Sequence, residues 1–183
     1  MCRTRQQALA FAGFFGPTST VLNAMTDRRN VLILGIGNSL LRDEGAGIHA
    51  LSCLREQLAD FDGITFLDGG TLSFTLAGAI EESSHLIVLD AAQLDAAPGY
   101  SQVFEGAEMD AFIGSNRKCS VHEVSLLDLL AIAHLSDHLP PQRALIGIQP
   151  AEIGWGEHPS PAVAAAMPRI CAQTRRLIDG WTT

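Results

Sequence analysis

From residue 30 onward, short apolar runs alternate with stretches of helical periodicity, and this alternation constrains the fold more than any other feature. Strands are predicted at residues 31–36, 64–68, 86–90, 101–105 and 144–149, and helices at 45–59, 73–82, 124–135 and 161–179. Residues 31–36 of the first strand and 86–89 of the third are apolar throughout instead of at every second position, as expected where a strand is covered on both faces. In the helix at 45–59, Ile48, Leu51, Leu54 and Leu58 recur at helical spacing. Strand and helix in turn imply βαβ units. The predicted fold is therefore α/β, a three-layer α/β/α sandwich with a largely parallel central sheet. Pro168 is expected to kink the last helix, and residues 95–98 and 105–118 read as long loops.

The chain has 183 residues, the size of one domain, and its 47% hydrophobic content is ample for a core. Twelve Lys and Arg against 20 Asp and Glu leave a net charge of −8, which repels phosphate backbones and anionic lipid, so neither nucleic acid nor a membrane is an expected partner. No apolar run approaches the roughly 18 residues of a membrane-spanning helix. Cys2, Cys53, Cys119 and Cys171 form no CxxC pair and read as reduced thiols of a cytoplasmic protein. Residues 1–29 begin with Arg3 and Arg5 and carry a short apolar stretch at 8–15. With Met25 as a second start just ahead of the first strand, they read as a disordered or misannotated leader. Residues 30–183 then form a single α/β domain.

In open parallel sheets ligands bind beyond the carboxyl ends of the strands. Gly35-Ile36-Gly37 follows a strand and precedes a helix, as a dinucleotide fingerprint does. The third glycine position is Leu40, however, and Asp43-Glu44 place negative charge where a pyrophosphate must bind. Glu44 at the opening of the first helix, Asp90 at the end of the third strand and His122 in a later crossover instead make a nitrogen-and-oxygen donor set for a divalent transition metal. Each has an ordinary structural role if taken alone: helix-start electrostatics, an Asx turn and a loop imidazole. Their joint placement at strand ends favours the metal. His134 and His138 have zincin spacing but lack its glutamate, and Pro140-Pro141 end the helix there. His49, His85 and His158 show no partner pattern. No GxSxG elbow or cysteine with a neighbouring base supports covalent catalysis.

The ordered blocks LILGIGN (32–38), LRDEG (41–45), LDGGT (67–71), LIVLDA (86–91), SVHE (120–123) and GIQP (147–150) resemble the nickel-iron hydrogenase maturation endopeptidases over about residues 30–170. The resemblance implies a cytoplasmic protease that removes a C-terminal extension from the hydrogenase large-subunit precursor after nickel insertion. It also implies that Glu44, Asp90 and His122 contact nickel carried by that precursor, the nickel not being required as a resident cofactor. Asp68, in the family's DGGT block, is an acid/base or a supporting group. The metal either polarises the scissile carbonyl or activates water, or else it anchors the substrate while a carboxylate serves as base. A nickel-binding assembly chaperone without proteolytic activity would need the same ligands.

Overall fold

The computed structural model describes residues 29–59, 61–115 and 125–181. The segment read as a leader lies outside them, apart from Arg29, and so does His122. Among the described residues the strands are β1 (Val31–Gly35), β2 (Ile64–Asp68), β3 (His85–Ala91), β4 (Ser101–Glu105) and β5 (Gln142–Ile148). They form a five-stranded sheet of order β2-β1-β3-β5-β4, parallel except for β4, which runs antiparallel to β5. The helices are α1 (Ala46–Gln57), α2 (Ala77–Glu81), α3 (Ala107–Ser115), α4 (Leu126–Leu135) and α5 (Pro161–Gly180).

Because successive strand side chains point to opposite faces, each central strand feeds two cores. Ile33, Ile87, Leu89 and Ile146 pack with Leu51 and Leu54 of α1 and Val163, Ile170 and Ile178 of α5. Leu32, Leu34, Leu86, Val88 and Leu145 pack with Ile80 of α2, Met109 of α3 and Leu129 and Ala133 of α4. The three layers are those expected from the sequence. Their burial on both faces accounts for the uninterrupted apolar character of β1, in which all five residues are buried.

Two local expectations are corrected. The stretch 105–118 is not a loop throughout, since α3 occupies Ala107–Ser115. Met109 is fully buried, Phe112 stacks on Phe104 with centroids 4.1 Å apart, and Asp110 pairs with Arg143 of β5. The helix predicted at 73–82 divides into a 3-10 turn, Phe74–Leu76, and the five-residue α2. Ser73 caps that turn by accepting a 3.2 Å hydrogen bond from the Thr75 N–H. The last helix, α5, runs through Pro168 as one element, Pro161–Gly180. Its start follows the sequence signals: Pro161 opens the first turn, and the Ser160 hydroxyl accepts from the Val163 N–H at 3.4 Å.

Candidate active site

The strand order sets the place. The connection from β1 leads outward to β2, whereas β3 lies on the other side of β1, so the crevice beyond β1 and β3 is where the winding of the sheet reverses. Glu44 lies beyond the end of β1, and Asp90 is the penultimate residue of β3. Backbone bonds tie the strand exits together here. The Ile36 N–H donates to Leu89 O at 2.9 Å, Gly69 N–H to Gly35 O at 2.8 Å, and Gly37 N–H to Gly70 O at 2.8 Å.

Two glycines let Glu44 approach this edge. A Cβ on Gly47 would lie 2.1 Å from Leu89 O and 2.4 Å from Ile36 O, so the first turn of α1 rests directly on the carbonyl preceding Asp90. Gly37 has φ +127°, and a Cβ there would lie 2.0 Å from Glu44 O. Glu44 itself sits in a one-turn 3-10 helix, Asp43–Gly45, and its Oε2 accepts a hydrogen bond from the Asn38 N–H. The Asn38 side chain in turn accepts from the Leu40 N–H at 3.0 Å.

Glu44 is close enough to act on Asp90. Burial, then the charge of Glu44, lift the Asp90 carboxyl to about 7, against the opposing hydrogen bond from the Ala91 N–H. An aspartic acid raised in this way holds its proton more readily than an ordinary one. Asp68 differs. It is exposed, its Oδ1 accepts from the Gly70 N–H at 2.9 Å, and strand alternation assigns it to the same face as Phe66, the α1/α5 face, whereas Asp90 shares the α2/α4 face of Val88. Among the described residues no group of three or more His, Cys, Asp or Glu side chains is placed to hold a metal ion. The third member of the expected set, His122, lies outside the described residues.

Two polar groups that sequence reasoning passed over build the surroundings. Asp43, fully buried, accepts hydrogen bonds from the backbone N–H groups of Ala151 (2.8 Å), Glu152 (2.9 Å) and Ser160 (2.6 Å). Burial alone would raise its pKa, but the Glu152, Ser160 and Ala151 N–H groups and the Ser160 hydroxyl outweigh burial and hold it below the ordinary value. The segment 151–160 is thereby strapped across the Glu44 turn. Arg42 completes the strap by pairing with Glu152, its own backbone held in the left-handed region at φ 52°. Gln149, also buried, accepts from the Leu94 N–H at 2.7 Å and donates to Gln93 Oε1 at 3.2 Å, ordering the loop after β3. The signals present in the sequence were the second acid beside Glu44 and the polar Gln149 ending an apolar strand.

A profile of the HycI hydrogenase maturation protease family matches residues 48–176. The hydrogenase expression/formation protein HupM of Azotobacter chroococcum mcd 1 is 39% identical over 124 residues, covering 68% of this chain and 59% of that protein. HupD of Rhizobium leguminosarum bv. viciae is 34% identical over 152 residues, covering 82% of this chain and 75% of that protein. In three dimensions the fold is similar to that of the hydrogenase maturating endopeptidase HybD from E. coli, with a TM-score of 0.72 at 29% identity, over 79% of this chain and 89% of that one. The chain belongs to the hydrogenase maturation protease family, a family of peptide-bond hydrolases.

Proposed function

We propose that this chain is an endopeptidase that removes the C-terminal extension of a nickel-iron hydrogenase large-subunit precursor after nickel insertion, recognising the nickel that the precursor carries. Residues 30–183 act as one unit on this reading, in the cytoplasm, with neither nucleic acid nor a membrane as partner. Among the described residues no helix is long and apolar enough to cross a membrane.

The observation that supports nickel recognition most directly is the placement of Glu44 beside Asp90 at the reversal point of the sheet, where the repulsion of Glu44 adds to burial in raising the Asp90 carboxyl. A divalent ion delivered by the substrate relieves that repulsion, and His122 adds the neutral nitrogen donor that nickel accepts alongside carboxylates. Recognition of this kind makes cleavage wait for the metal: without the ion, the tail peptide is not fixed over the strand ends and gains no advantage from positioning. Asp68, at the neighbouring end of β2, is the proposed base for the attacking water.

The test is incubation of the protein with nickel-loaded and nickel-free precursor, read by intact mass. We expect shortening of the loaded precursor only, and none with Glu44→Gln or His122→Ala. Binding of the loaded precursor without any shortening would point to an assembly chaperone instead. Efficient cutting of a metal-free precursor would remove the recognition role.

A further inference from the structure

Away from the candidate site, Cys53 of α1 and Cys171 of α5 place their sulfurs 3.3 Å apart, although 118 residues separate them in sequence. Both are free thiols. Their surroundings differ. Cys171 is 2% exposed and belongs to the α1/α5 core, while Cys53 is half-buried at the edge of that core. The Cys171 thiol donates to Cys53 Sγ, which also accepts from Gln57 Nε2 at 3.3 Å. The reachable sulfur therefore receives two hydrogen bonds. Burial, then the contact with Cys53, pushes the Cys171 thiol up to about 12, so the inner sulfur stays protonated.

We propose that Cys53 and Cys171 are a peroxide-sensitive dithiol that closes reversibly into a disulfide stapling α1 to α5. The thiolate of Cys53 attacks one oxygen of hydrogen peroxide, the O–O bond breaks, and the departing hydroxide leaves as water with the proton given up by Cys53. Cys53 is now a sulfenic acid. The Cys171 sulfur then attacks the Cys53 sulfur, the S–O bond breaks, and hydroxide leaves with the Cys171 proton as a second water. The dithiol loses two electrons and two protons, and the peroxide is reduced to two waters. Closure needs the sulfurs to move from contact to a bond of about 2.05 Å, a change that side-chain rotation at the half-buried Cys53 supplies. A reductant thiol reverses it by exchange.

This inference does not depend on the proteolytic reading, because neither cysteine belongs to the Glu44 and Asp90 cluster. The full chain carrying Cys2→Ser and Cys119→Ser leaves this pair as the only thiols. Treated with hydrogen peroxide, it should lose about 2 Da per chain and yield a Cys53–Cys171 linked peptide on digestion, both reversed by dithiothreitol. The oxidised form should unfold at a higher temperature than the reduced form. Cys53→Ser and Cys171→Ser, each in that background, should abolish the linked peptide. Mapping the unsubstituted chain in parallel should recover the same link, so that poor folding of the substituted chain cannot hide it. A gain of about 32 Da at Cys53 without a link overturns the proposal, as does linkage only between chains or no change at saturating peroxide.

Discussion

The Asp43 carboxylate accepts a 2.6 Å hydrogen bond from the Ser160 N–H across 117 residues of sequence. Ser160 caps α5, and Asp43 begins the turn that presents Glu44, so one buried carboxylate couples the start of a helix to the position of a candidate ligand. The Glu44 side chain is held locally by the Asn38 N–H, while the turn that carries it is held by the strap that Asp43 secures.

Asp43→Asn tests that coupling. An amide keeps the shape but turns one acceptor into a donor facing backbone N–H groups, leaving buried donors opposed. We expect a loss of about 2–3 kcal/mol in urea unfolding. Precursor cleavage should weaken even in the folded fraction, whereas Arg42→Gln, which removes a more exposed partner of the strap, should cost no more than about 1 kcal/mol.

At Gly47 two effects point in opposite directions. Intrinsic helix preference says that Gly47→Ala gains up to about 1 kcal/mol. The contact geometry says otherwise, because the new methyl would meet two backbone carbonyls that cannot rotate away. We expect a net loss of about 1–3 kcal/mol, the range of overpacked cores, with disturbance of the Glu44 turn. Gly114→Ala on α3 is the control: nothing lies within 4 Å of its added Cβ, and a gain of a few tenths up to about 1 kcal/mol is expected.

Asp68→Asn separates a chemical role from a turn role. Asparagine keeps the oxygen that accepts from the Gly70 N–H, so stability should change by no more than about 0.5 kcal/mol. If Asp68 is the base, kcat on the nickel-loaded precursor should fall about 10²-fold or more with KM little altered. An unchanged kcat would return Asp68 to the turn alone.

His85, at the opposite end of β3 from Asp90, provides a pH dependence. Burial, then the positive charge of Arg29, hold its imidazole below the usual 6.5, and its ring packs 5.4 Å from Trp181. The folded state thus favours the neutral ring. Its contribution to stability should be complete above pH 6.5 and decline as the pH falls from there through the lowered folded value. A proton NMR titration should place the His85 midpoint below 6.5, and Arg29→Gln should move it upward.

By itself the sequence determined the layers. Continuous apolar runs in β1 and β3 reflect burial on both faces, and the spacing of Leu51, Leu54 and Leu58 follows from one buried helix stripe, which Ile48 does not join. The same reasoning located Asp90, because a polar residue that ends such a run sits at a strand exit whatever the strand order, whereas Glu44 was read from the helix start that follows β1. Short-range patterning was less informative for α3, where Gly106 precedes and Gly114 lies within a nine-residue helix held by Met109, Phe112 and Asp110 against β4 and β5. Only the tertiary structure decided that β1 and β3 are neighbours, that Gly47 lets α1 rest on Leu89, and that Asp43 holds residues 151–160 over the site. Periodicity records which side of a segment faces the core, since apolar burial is a property of each side chain. A carboxylate bonded to distant backbone N–H groups leaves no such record, because every residue except proline offers the same N–H, and the chain's path alone selects which of them it meets.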